Sequence, residues 1–391
     1  MLSYAVVFII AASITFFGSF AVRRFTTKYK IMVIPDERMV HQKPTPTAGG
    51  VAMFVAFGIA LFVASQLPQF RSVFKGSSEP MGVFVGAFII FAVGLFDDLK
   101  DISAPTKLAG QVLAASVLYL FGVTMFYFRI PFAGLVILSP GVTPLLTAIW
   151  VTGMANAVNF IDGLDGLAAG IVAIASIAFF IYGIRLQDVG LLSSSSISPL
   201  LAIIVFGLTI GFLPHNFHPA KIFMGDAGAL LLGLLMAAST IVVGGRTTQA
   251  FSGETYFFFA PLFIPFFILG VPILDTAFAI VRRAVKHKGL SSPDKDHLHH
   301  RLMRLGHGHK RSVLILWAWT AILSGFVLYP TFTNQGNAIA PFVVGVLGII
   351  LYTLFHPGIR HKSANIDHSP KDDKNTDDKN AQDKDQLKSR S

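Results

Sequence analysis

The chain reads as an all-α polytopic membrane protein with about eleven transmembrane helices and polar loops at one membrane face. Three observations predict this. Only 13% of the 391 residues are charged, about half the share usual for a soluble domain. The mean hydropathy is +0.65. Apolar runs of roughly 18 residues or more recur along the chain, and a helix needs about 20 to cross the hydrocarbon core.

The spans fall at 4–22, 50–67, 81–96, 108–127, 143–158, 167–184, 198–213, 227–243, 257–281, 313–330 and 338–356. Residues 1–22 contain no basic residue, and Arg23 and Arg24 follow the apolar run. That order is the reverse of a secretory signal, so the first segment is expected to be a helix with its N-terminus outside. Segment 128–142, with Ile130-Pro131-Phe132-Ala133-Gly134, fits either a short external hairpin or a re-entrant piece. The ninth span holds Pro261, Pro265, Gly270 and Pro272 before Asp275, and such a helix should kink.

This layout puts 26 of the 31 Lys and Arg on one side and 5 on the other. Excluding residues 357–391 leaves 18 against 5, so the expected cytoplasmic side does not depend on the tail. The net charge of +10 then reflects this bias and attraction to anionic lipid, not nucleic acid. The absence of cysteine excludes disulfides and cysteine-ligated zinc or iron–sulfur sites. Residues 1–361 form the expected membrane domain. Residues 362–391, rich in Lys and Asp and lacking aromatics, are expected to be a disordered charged tail.

Every polar motif falls on the expected cytoplasmic side. Phe96-Asp97-Asp98-Leu99-Lys100-Asp101 ends the third span. Its carboxylates repel one another unless a cation intervenes, and Asp97 and Asp101 share a face if the helix continues. Lys107 is placed to hold a phosphate oxygen. A solvated helix end is the plainer alternative. Asn156, Asn159 and Asp162 recur every three residues, and Gly163, Asp165 and Gly166 follow. An amide and carboxylate stripe must face protein, water or ligand rather than lipid. Interhelical hydrogen bonding is its alternative.

His215-Asn216 precedes Lys221-Ile222-Phe223-Met224-Gly225-Asp226-Ala227-Gly228. There Asp226 fits either a helix cap or a carboxylate ligand of Mg²⁺, with the next backbone amides facing an anion. The loop 282–312 carries His297, His299, His300, Arg301, Arg304, His307 and His309, donors suited to a pyrophosphate or to anionic lipid. The first loop adds Asp36, Arg38, His41, Lys43 and Gly49-Gly50. Five separated segments thus offer carboxylates, amides, imidazoles and cations on one face. A transporter would set its ionisable groups near the bilayer midplane, and the span centres here are almost free of charge.

Phe-Asp-Asp-Leu-x-Asp, Asn-Ala-Val-Asn-Phe-Ile-Asp-Gly-Leu-Asp-Gly-Leu, Phe-Met-Gly-Asp-Ala-Gly and His-x-His-His-Arg-Leu occur in that order. Over residues 20–312 this pattern resembles the polyprenyl-phosphate N-acetylhexosamine-1-phosphate transferases. The resemblance implies transfer of GlcNAc-1-phosphate from UDP-GlcNAc to undecaprenyl phosphate in the bacterial plasma membrane, starting a cell-surface glycan such as wall teichoic acid. It implies Mg²⁺, with Mn²⁺ substituting, held by Asp226 and Asn159, and a homodimer. Asp97 and Asp98 would then act on the lipid phosphate. Lys43, Lys107, Asn156, Asp162, Asp165, His297, His299, His300 and Arg301 would bind substrate. The phospho-MurNAc-pentapeptide transferases share the aspartate motifs but usually carry three consecutive histidines where this chain has His297-Leu298-His299-His300. A membrane transporter or flippase is the rival of another class, and it predicts substrate counterflow without release of UMP.

Overall fold

The computed structural model describes residues 1–29, 32–33, 44–125, 127–130, 134–244, 308–333, 343 and 345–350. Among them are α1 (Leu2–Lys28), α2 (Gly49–Gln66), α3 (Arg71–Lys75), α4 (Glu79–Lys100), α5 (Ala104–Leu120), α6 (Thr143–Ile161), α7 (Leu167–Asp188), α8 (Ser198–Asn216), α9 (Gly225–Gly244) and α10 (Gly308–Thr333). Seven of these, α1, α2, α4, α6, α7, α8 and α9, are long and apolar enough to cross a membrane. Helix α10 covers the sequence-predicted span 313–330, whereas α5 ends at Leu120, short of the expected 127, because a turn at Phe121–Gly122 leads towards the strand Tyr127–Ile130. The ninth span, the charged tail, and Lys43, His297, His299, His300 and Arg301 lie outside the described residues.

Proline opens four of the helices, with Pro80, Pro105, Pro144 and Pro199 in the first turns of α4, α5, α6 and α8. There its missing N–H removes a donor that has no partner in the helix. Several helices outrun their apolar stretches. Helix α4 continues from the expected end at residue 96 to Lys100, and α1 from 22 to Lys28. Hydropathy marks only the lipid-facing part, while the backbone ladder persists into polar residues. Asp101 then stops α4 in the left-handed conformation at φ 54°. Asp97 and Asp101 therefore do not share a continuing helix face.

Two antiparallel hairpins accompany the helices. One pairs β1 (Met32–Val33) with β2 (Thr45–Pro46), and the other pairs β3 (Tyr127–Ile130) with β4 (Gly134–Ile137). The second pairing, of 127–130 with 134–137, makes that part of 128–142 a hairpin rather than a re-entrant piece.

Helix α9 is the central element, and every residue from Ala227 to Val243 is buried. It packs against α2, α4, α6 and α8. Lipid tails give helices little apolar reason to associate, so close contact depends on small residues. A Cβ on Gly94 of α4 would lie 2.6 Å from the Asp226 carbonyl carbon, and one on Gly50 of α2 would lie 2.7 Å from that of Ala227. Helix α1 is peripheral. It packs on α2 and α8 and leaves Ile9, Phe17 and Phe25 exposed, as a lipid-facing surface requires.

Alternation of helix direction gathers many polar helix ends together. The backbone of the α2 start binds the segment before α9, with Gly49 N–H to Phe223 O and Gly50 N–H to Met224 O at 2.9 Å each. Gly166, at the start of α7, donates to Asn216 Oδ1 at the end of α8 over 2.9 Å.

Candidate active site

The tight link between α4 and α5 builds the first half of the site. It consists of Asp101, Ile102 and Ser103. Asp97 Oδ1 accepts from Ile102 N–H at 3.1 Å, and Ser103 caps α5 by accepting from Thr106 N–H. This turn brings Asp97 in the last turn of α4 against Lys107 in the first turn of α5. The Lys107 ammonium lies 2.6 Å from Asp97 Oδ2 and also pairs with Asp226 Oδ2. One cation thus bridges carboxylates that are far apart in sequence.

Asp98 points to the start of α9. Its Oδ1 accepts from Asp226 N–H at 2.8 Å and its Oδ2 from Ala227 N–H at 3.1 Å. Those amides have no partner within their own helix, and a carboxylate there also meets the positive end of the helix dipole. The anion that the sequence leads one to expect at this N-terminus is Asp98 itself. The approach requires glycine at 225: its φ is +69°, and a Cβ would collide with the Asp98 carboxylate.

Asn159, in the last turn of α6, is within hydrogen-bonding reach of the Asp226 carboxylate. Asp162 caps the C-terminus of α6. Burial foremost, then the negative charges of Asp226, Asp98 and Asp165, holds its carboxyl well above the usual range. Four carboxylates, those of Asp97, Asp98, Asp162 and Asp226, therefore converge at helix ends with Lys107 among them.

Asn156 faces elsewhere. Its amide donates to Gln111 Oε1 at 2.7 Å and to Thr152 O at 2.8 Å, and its oxygen accepts from Gln111 Nε2 at 3.2 Å. One amide hydrogen and the oxygen lock α5 to α6, and the other hydrogen is taken up within α6. Gln111 is only 1% exposed. Asp165 Oδ2 accepts from Ala220 N–H at 3.0 Å and lies 2.7 Å from His218 Nδ1. Asn216 ties the two loops, accepting from Gly166 N–H and donating to Ile222 O at 3.1 Å.

Sequence reasoning passed over three of these residues: Gln111, Asn216 as a loop tie, and His218. Gln111 had a signal, as a lone amide inside an otherwise apolar span. His218 stands within the Asn216–Asp226 motif region but carries no spacing relation to another ligand in the sequence.

The chain is similar in sequence to known proteins. Residues 80–244, which contain Asp97 through Asp226, match the family model described as glycosyl transferase family 4. The chain is 39% identical over 359 residues to the decaprenyl-phosphate N-acetylglucosaminephosphotransferase of Mycolicibacterium smegmatis, covering 90% of this chain and 87% of that one. The chain belongs to the polyprenyl-phosphate N-acetylhexosamine-1-phosphate transferase family. It is a membrane transferase of that family. A probable undecaprenyl-phosphate N-acetylglucosaminyl 1-phosphate transferase of Bacillus subtilis is 35% identical, covering 84% of this chain and 83% of the relative. A phospho-N-acetylmuramoyl-pentapeptide-transferase of Desulforudis audaxviator is 30% identical, covering 73% and 84%.

Proposed function

We propose that the protein transfers GlcNAc-1-phosphate from UDP-GlcNAc to a polyprenyl phosphate, undecaprenyl phosphate in the first instance. One observation carries this within the family: the carboxylates of Asp97, Asp98 and Asp226 and the Lys107 ammonium meet at one end of the helix bundle. A lipid phosphate oxygen forms a bond to the β-phosphorus of UDP-GlcNAc. The bond to the bridging oxygen breaks, and UMP leaves with the electron pair. The second product is polyprenyl-pyrophosphoryl-GlcNAc, the start of a cell-surface glycan. A phosphate monoester has a second pKa near 6 and is mostly dianionic at pH 7, so orientation matters more than a strong base.

The donor set suits Mg²⁺, with Mn²⁺ as a substitute. Asp226 and Asn159 are hard oxygen donors, and the Lys107 ammonium already stands as a cation between Asp226 and Asp97. Bound there, the ion would neutralise pyrophosphate charge. Asp98, with both oxygens on backbone amides, acts by positioning Asp226. Asp97, with one oxygen on Ile102 and the other on Lys107, is the carboxylate left to orient the lipid phosphate, and Lys107 would hold a phosphate oxygen. Asp162 would line the nucleotide side, and Asp165, tied to Ala220 N–H and His218, would support it from the loop after α6. The histidines at 297, 299 and 300, with Arg301 and Lys43, would bind the sugar-nucleotide from loops outside the described residues.

The enzyme would work in the bacterial plasma membrane as a homodimer with this cluster facing the cytoplasm, where UDP-sugars are made. The test is UMP release by the purified protein from UDP-GlcNAc with Mg²⁺ and either undecaprenyl or decaprenyl phosphate. Release only with UDP-MurNAc-pentapeptide would move the chain to the sister activity. Counterflow of substrate in vesicles without UMP would replace the transferase chemistry altogether.

A further inference from the structure

Asp165, His218 and His309 form a second cluster, separate from the Lys107 group. They come from the α6–α7 loop, the α8–α9 loop and the first turn of α10. One candidate ligand atom from each lies within 4.8 Å of the others. The rings of His218 and His309 stack with centroids 4.2 Å apart and planes at 23°.

How the rings are held is informative. His218 Nδ1 and Asp165 Oδ2 face each other at 2.7 Å, so both atoms can turn to one ion placed between them. His309 binds the Asp165 backbone, and its Nε2 is buried with no hydrogen-bond partner among the described residues. A buried polar atom without a partner is costly. His309, with its other nitrogen fixed by a backbone group, is set to present Nε2 to a metal.

We propose that Asp165, His218 and His309 form a binding site for a divalent transition metal, Zn²⁺ being the best fit. Two imidazoles and one carboxylate suit Zn²⁺ and its neighbours, whereas Mg²⁺ prefers the all-oxygen donors at Asp226. A tetrahedral ion with bonds of about 2.0–2.2 Å sets its ligand atoms roughly 3.4 Å apart, so small side-chain rotations close the cluster. The half-exposed His218 side chain leaves room for a water as fourth ligand. The ion would tie three separate segments together: the loop after α6, the loop before α9 and the start of α10. The site does not depend on the transfer reaction proposed above.

The test uses the full-length protein in detergent, stripped with a chelator and dialysed against micromolar Zn²⁺ with millimolar Mg²⁺ present. Bound metal is measured by atomic emission, and the absorption bands of Co²⁺-loaded protein report the donor set. The parent should retain a Zn²⁺ equivalent that His309→Gln and His218→Gln each weaken by about 100-fold, and that Asp226→Asn keeps. Zn²⁺ should raise the melting temperature of the parent and not of the histidine variants. Metal-free melting equal to the parent's shows that a variant is folded, and having two histidine variants guards against the failure of one. The proposal is overturned if the parent holds no Zn²⁺ against Mg²⁺. It is overturned equally if both variants keep the parent's Zn²⁺ and Co²⁺ spectrum, or if the ion is lost only on replacing His297, His299 and His300.

Discussion

Gly225→Ala tests whether the start of α9 is held by Asp98 in the way the geometry shows. Gly225 has φ +69°, and a Cβ there would sit 2.7 Å from Asp98 Cγ. A left-handed alanine costs roughly 1 kcal/mol. Displacing the Asp98 carboxylate loses at least one hydrogen bond to a charged acceptor, worth about 2 kcal/mol. If that sum of roughly 3 kcal/mol falls on the presentation of Asp226 to substrate, kcat/KM drops about a hundredfold, since each 1.36 kcal/mol is a factor of ten. Gly153→Ala is the internal control, because a Cβ on Gly153 meets nothing within 4 Å. Both variants are assayed for UMP release beside a detergent melt. A Gly225→Ala enzyme within threefold of the Gly153→Ala control would refute the argument that this cap matters for turnover.

Four further outcomes are expected. Asp226→Ala abolishes UMP release and removes its Mg²⁺ titration, and near-normal turnover in that variant would take Asp226 out of the metal assignment. Asp98→Asn keeps one acceptor oxygen for the α9 amides, so it should retain activity within about tenfold with the pH profile unchanged. Loss of a titrating limb would instead make Asp98 a base. Gln111→Leu leaves the Asn156 oxygen without its partner and should cost about 1–3 kcal/mol, read as a lower melting temperature. The double variant with Asn156→Leu should recover part of that loss. Asp162 has its folded pKa raised, so its contribution to stability is full below the unfolded value of about 4 and is lost as pH rises through the folded value. In chelator at neutral pH, Asp162→Asn should therefore melt higher than the parent, and the gap should close on acidification. A constant gap across that range would contradict the burial argument.

The membrane fold was legible because its determinants are local. Apolar length marks α1, α2, α4, α6, α7, α8 and α9 from the sequence alone. Helix ends were less legible, since the ladder of α4 runs on through Asp97 and Asp98 after hydropathy has fallen. Among site residues, Asp97, Asp98, Asn159 and Asp226 stood out as polar groups clustered beside apolar runs. Which of the polar residues pair with which did not. Asp98 contacts Asp226 across 128 positions, Lys107 contacts it across 119, and Gln111 contacts Asn156 across 45, and no periodicity spans such distances.

By itself, then, the sequence determined that this chain enters a membrane, and which polar residues collect at the ends of its helices. It did so through composition and short-range pattern, which need no knowledge of what packs on what. Only the tertiary structure decided how those residues divide. It turned Asp98 toward backbone amides, Asn156 toward Gln111 and Asp165 toward His218, and left Asp97, Asp226 and Lys107 facing one another. The reason is close packing. Gly50 and Gly94 let α2 and α4 approach α9 to van der Waals distance, and that approach fixes which carboxylate reaches which partner.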